Sequence, residues 1–208
     1  MGLISATHSI CRYHINGKID GSLLEEIKNG LVLNSMPVQE NYYDEISAGW
    51  TPFESPYNPD FEKYPFQFGS YFVFSLRIDK KSIPKNLIQK HMAIEIAKKM
   101  EKSEQEFISK AEKKEIREVV VDVLMHKIPA NPSIYEILWN YEANTLYFFS
   151  TQKAANAMFE TIFFKSFNLK PVSLFPYTLV ETGSKFSDTQ KDKIMSLTPL
   201  NIRGTHNA

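Results

Sequence analysis

Cysteine, glycine-rich motifs and net charge are what this chain has least of, and each shortage closes off a chemistry. A single cysteine, Cys11, excludes an intramolecular disulfide and a cysteine-based zinc site. The eight glycines are scattered, and none completes GxGxxG or GxxxxGK, so no phosphate-cradling loop is written here. His8, His14, His91, His126 and His206 share no i, i+3 or i, i+4 spacing suited to a metal ion. Lysine plus arginine equals aspartate plus glutamate at 24 each, which argues against a protein basic all over. No apolar run approaches the roughly 20 residues that a membrane span needs. The first residues show no basic stretch followed by an apolar one, so no leader is expected. Met1-Gly2 opens like an acylation signal, but Ala6 stands where serine or threonine is wanted. The expectation is a cytoplasmic protein with no membrane partner.

What is present is a globular composition, 43% apolar and 13% aromatic over 208 residues, enough to bury a sizeable core. The charge is unevenly spread. Residues 80–127 hold 12 of the 24 basic residues and 8 of the 24 acidic ones, an excess of four that aims this segment at an anion.

The pattern reads as short strands at 9–15 and 31–38 around a helix that starts at Ser22 and is closed by Gly30. Residues 50–67, with Pro52, Pro56, Pro59 and Pro65 among aromatics, read as an ordered loop with its own small core. Tyr71 to Ile78 is the clearest strand. A helix opening near Pro84 buries Ile88, Met92, Ile96 and Met100. A capping box at Ser103 starts a second helix that ends before Pro129. Strands at 134–141 and 146–150, a helix over 152–167 on Ala154, Ala157, Met158, Thr161 and Ile162, and a strand at 172–175 follow. This order implies an α+β fold: a largely antiparallel sheet packed with helices, plus a projecting lysine-rich helical hairpin. The expected divisions are 1–79, the hairpin at 80–128, a completing part at 129–182 and a flexible tail at 183–208.

Two stripes share the second helix. Ile116, Val119, Val120 and Val123 fall at i, i+3, i+4, i+7, and so do Lys110, Lys113, Lys114 and Arg117 on nearly the opposite side. A cationic face turned outward suits a phosphate backbone, with Lys98, Lys99 and Lys102 as helpers. The same pattern describes a solvated surface helix whose charges pair at i, i+4, Glu106 with Lys110 and Lys114 with Glu118.

One catalytic pattern competes. Asp60, eighteen intervening residues, then Asp79-Lys80-Lys81 fits a loose metal-dependent nuclease arrangement. There two carboxylates hold Mg²⁺ and Lys81 supports the attacking water. A short pattern of this kind also arises as a polar strand exit. Outside that reading no catalytic residue and no cofactor is expected.

Ala48-Gly49-Trp50-Thr51-Pro52, the aromatic strand, and Ile83-Pro84 opening a lysine-rich helical pair resemble the RdgC family of bacterial recombination-associated proteins. Lys113-Lys114-Glu115-Ile116-Arg117-Glu118, Ile128-Pro129, Trp139, Asn144, Lys153-Ala154-Ala155 and Leu169-Lys170-Pro171-Val172-Ser173-Leu174 continue the series across residues 10–176. The resemblance implies sequence-independent binding of duplex DNA without turnover, by a ring-forming homodimer associated with the nucleoid. Family members are often labelled exonucleases. The resemblance corresponds to the family's N-terminal two-thirds. It does not carry the C-terminal part that helps close the ring, nor the arginine usual after the second helix, where Pro129 is followed by Ala130-Asn131-Pro132. An interaction module without DNA binding is the remaining reading.

Overall fold

The computed structural model describes residues 2–37, 45–103, 107–175, 178–180 and 186–196. Seven strands form one sheet: β1 (Cys11–Asn16), β2 (Ile46–Pro52), β3 (Gln67–Phe68), β4 (Tyr71–Lys80), β5 (Asn131–Asn140), β6 (Thr145–Phe148) and β7 (Lys170–Ser173). Their spatial order is β2-β4-β5-β6-β1-β7, with β3 paired to β4, and every neighbouring pair is antiparallel. The helices are α1 (Leu23–Leu33), α2 (Lys85–Ser103), α3 (Lys110–Lys127), α4 (Lys153–Phe167) and α5 (Asp188–Met195).

Strand alternation sorts the side chains into two layers. Tyr13, Ile15, Trp50, Phe72, Phe74, Leu76, Ile137, Trp139, Leu146 and Phe148 point to one face and meet Ile27 and Leu31 of α1 and Phe159, Phe163 and Phe167 of α4. Phe148 stacks on Phe159 with centroids 4.7 Å apart, and Phe163 meets Phe167 at 4.8 Å. Aromatic pairs at such spacing add to the area they bury. Trp50 Nε1 is satisfied within this core, donating to Ser166 Oγ at 2.7 Å. Trp139 Nε1 is buried with no hydrogen-bond partner among the described residues.

Several boundaries differ from the sequence reading. Gly30 does not close α1. It lies inside the helix, where a Cβ would sit 2.6 Å from Ser166 O and 2.7 Å from the Phe167 ring, so glycine is what lets α1 press onto α4. Residues 31–33 are therefore helical and not a strand, and among the described residues the strand-like contact there is a single parallel bridge of Ser35 to Trp50; Val38 lies outside the described residues. The strand β2 occupies the start of the expected loop. Its Gly49 admits the crossing backbone of Ser35 and Met36, which approaches where a Cβ would stand. On α4 the buried residues are Ala155, Phe159, Ile162, Phe163 and Phe167, turned by about one position (~100°) from the expected ridge because three phenylalanines outweigh alanines in area. Of the loop aromatics, Phe61 and Phe66 are buried, whereas Tyr57 and Phe68 are exposed.

Between β4 and β5 the chain leaves the sheet and returns to the adjacent position, since Lys80 pairs with Asn131. The excursion is the antiparallel pair α2 and α3, an arm ~28 Å long at 1.5 Å per residue.

Candidate nucleic-acid interface

Local chemistry sets where α3 begins. Ser103 is the last residue of α2 and not a cap, and residues 104–106, with the proposed Glu106–Lys110 pairing, lie outside the described residues. The working capping box is six residues later. Ser109 Oγ accepts from the Glu112 amide, and the Glu112 carboxylate accepts from the Ser109 amide at 2.9 Å. These bonds from the Ser109 hydroxyl and amide, together with Lys99 at 3.0 Å, hold the Glu112 carboxyl down at about 2.

The buried row of α3 is Ile108 before the helix, then Val120 and Leu124, with Ile116 half-buried between them. Val119 and Val123, expected inside, are 62% and 45% exposed. The seam thus follows an i, i+4 row, as ridge-in-groove packing against α2 requires, and not the i, i+3, i+4 stripe.

That rotation decides where the charges go. Measured round the axis from Ile116, Lys113, Arg117, Lys110 and Lys114 lie between roughly 60° and 160° on one side. Glu112, Glu115, Asp122 and Glu118 lie between roughly 40° and 160° on the other. All four cations are exposed, and among the described residues Lys110, Lys113 and Arg117 enter no ion pair. Lys114 Nζ reaches Glu118 at 3.8 Å, with both side chains largely in solvent, a contact worth little.

Lys98, Lys99 and Lys102 are not brought to that surface. They line a groove of 430 Å³ with Glu95, Glu115, Ile116 and Val119, on the acidic side of α3. Lys98 bonds Glu95 at 2.7 Å, its donated hydrogen bond holding that carboxyl below the usual range, and Lys99 bonds Glu112. The seven basic residues form two groups. The division escaped the sequence reading, although the acidic spacing Glu112, Glu115, Glu118 and Asp122 was its available signal.

The arm, α4 and every strand except most of β1 fall inside residues 15–181, which match the family model described as "Putative exonuclease, RdgC". This chain belongs to the RdgC family. No curated protein matches it.

The exonuclease label in the RdgC description makes the acidic residues worth locating. Asp79 is 3% exposed, and both of its oxygens receive the Arg77 guanidinium, Nε at 2.8 Å and Nη2 at 2.5 Å. Lys81 is equally buried at 3%. Asp60 Oδ1 accepts from the backbone amides of Glu62 and Lys63, closing a turn. Both carboxylates are thus engaged in local structure, and no cluster of three metal-ligating side chains exists among the described residues.

Another pocket, about 360 Å³, lies between β1, β7 and α4. Tyr13 Oη is 2.7 Å from Asn156 Oδ1 and 3.0 Å from Glu160 Oε1, and burial raises the Tyr13 hydroxyl and the Cys11 thiol above their ordinary values. A thiol raised in this way is a weak nucleophile at neutral pH. None of the described helices is long and apolar enough to cross a membrane.

Proposed function

We propose that this RdgC-family chain binds DNA through the exposed side of α3, with Lys110, Lys113, Lys114 and Arg117 contacting phosphates. The supporting observation is charge segregation on a projecting arm. Four exposed cations occupy one side of α3, and its four acids occupy the other, where Glu112 and Glu115 face the lysines of α2. A cationic strip with no intervening carboxylate concentrates positive potential, and a rod standing off the sheet can be approached by a bulky polyanion.

Contacts of this kind read the backbone and not the bases, so the binding is sequence-independent and salt-sensitive. The work belongs to recombination or replication at the nucleoid, without turnover, and a homodimer that places two arms against one duplex is part of the same reading. No cofactor is needed for it.

The deciding experiment is charge reversal of the four residues to glutamate, followed by a mobility shift on linear duplex at low salt. Retained affinity in a folded variant rejects the reading. Loss of the shift, with the circular dichroism spectrum unchanged, supports it.

A further inference from the structure

Helices α1 and α4 cover one face of the sheet, and the opposite face carries a second, independent set of groups. Strand register places Arg12 beside Tyr147, and Lys170 beside Asn16. In the row between those two, His14, Thr145, Asn140, Tyr71 and Phe68 lie side by side across β1, β6, β5, β4 and β3. All belong to the face opposite the core, because their strand neighbours Tyr13, Leu146, Trp139 and Phe72 are the core residues.

The N-terminal segment crosses this face nearer its middle, where the Leu3 amide donates to Glu136 and His8 packs edge-on to Phe149. In the Arg12 row Tyr147 is half-buried and Val73 is buried. Phe68 is 41% exposed, Tyr71 38%, and Arg12 and Lys170 are exposed. Among the described residues Arg12 and Lys170 enter no ion pair, and the three rows contain no carboxylate.

Flat rings standing on an antiparallel sheet beside unpaired cations match one ligand chemistry. Unpaired bases stack on the rings while the cations take the phosphates between them. Base pairs inside a duplex cannot present their faces to such a surface. We propose that this open face is a site for single-stranded DNA, with bases stacking on Tyr147 and on the Tyr71–Phe68 pair and with Arg12 and Lys170 holding the backbone. The site rests on the reading of this chain as a DNA-binding protein. It is separate from the arm, since Tyr71 lies at the far end of β4, ~30 Å from the arm's root at Lys80.

The test measures fluorescence anisotropy with labelled oligothymidylate of about 20 nucleotides and a duplex of about the same length. It compares the wild-type chain, the variant Phe68→Ala/Tyr71→Ala/Tyr147→Ala, and the arm variant Lys113→Gln/Arg117→Gln. At about five-fold per ring, the aromatic variant loses on the order of 100-fold on oligothymidylate and about two-fold or less on duplex. Oligothymidylate binding within about two-fold of wild type overturns the site. Should the triple variant fail to fold, Arg12→Gln replaces it, with about ten-fold loss confined to the single strand as the expected result.

Photocrosslinking of bromodeoxyuridine-substituted single strands to the wild-type chain supplies the second readout. Adducts at Phe68, Tyr71 or Tyr147 support the site, and adducts confined to α2 and α3 overturn it. A face that fails while the arm variant still loses duplex affinity leaves the arm reading standing. A wild-type chain that binds neither nucleic acid overturns both.

Discussion

The arm makes a quantitative claim about salt. Four cations placed against phosphates release condensed counterions, and log K falls with log salt at a slope of about −0.9 per contact, or roughly −3.6 for four. Between 50 and 200 mM salt that slope costs roughly 150-fold in affinity. Neutralising one residue, Arg117→Gln, should flatten the slope to roughly −2.7 and reduce the loss to about 40-fold. Neutralising all four should remove most of the dependence. The structure adds a control that composition alone would not supply. Lys98 and Lys102 carry the same charge on the other side of the arm, so Lys98→Gln/Lys102→Gln should leave the slope near −3.6, within about 0.5. Anisotropy titrations of a labelled duplex at four or five salt concentrations measure every slope directly. The reasoning fails if the α2 pair flattens the slope as much as Lys113→Gln/Arg117→Gln, because the phosphates would then not be choosing the side that the acids leave free.

Three further outcomes follow from the packing. Gly30→Ala should destabilise the chain by about 1–3 kcal/mol in urea unfolding, because its Cβ meets the Ser166 carbonyl and the Phe167 ring; helix propensity alone would stabilise by about 1 kcal/mol, so the sign decides. Asp79→Asn should cost about 3 kcal/mol, since it leaves the Arg77 guanidinium, 17% exposed, half-paired against a buried amide; an unchanged urea midpoint would refute that account of the pair. Glu112 is held at about 2, below its ordinary 4.5. Its contribution to the α3 cap is therefore complete above 4.5, declines as pH falls below that, and is lost once pH has passed through about 2. Carboxyl ¹³C shifts should report that titration, and Ser109→Ala should move it back toward 4.5.

Much of this architecture is legible where side-chain chemistry and local periodicity agree. The strand β4 is aromatic and β-branched along its length, and the arm is bounded by Pro84 and Pro129, so both can be read directly from the sequence. The failures share a physical cause, which is contact with something distant in sequence. Gly30 resembles a helix stop but is a contact surface for α4, and Ser-Ala-Gly in β2 has little strand preference until Met36 crosses it. Serine followed three residues later by glutamate occurs at both Ser103 and Ser109, and α2 continues through the first. The cations of the site were legible as residues. Their division into two sides was not, because it depends on which ridge of α3 seats against α2.

The arm and the sheet differ in how firmly they hold their groups, and this bears on which surface can do what. Every strand of the main sheet path has antiparallel partners and most contribute to one aromatic core, so the rings and cations on its open face are fixed in register. Among the described side chains of α2, by contrast, none is fully buried, and within α3 only Val120 and Leu124 are. A seam that thin supplies little stability of its own, and four cations on one side of α3 repel one another within it. Such an arm suits a partner recognised by charge alone, since phosphates spaced along a backbone tolerate small displacements of a lysine without loss. It suits poorly any chemistry needing carboxylates fixed to within about half an ångström. Asp79, fixed that well, achieves it by giving both oxygens to Arg77, which leaves it a structural anchor at the arm's root.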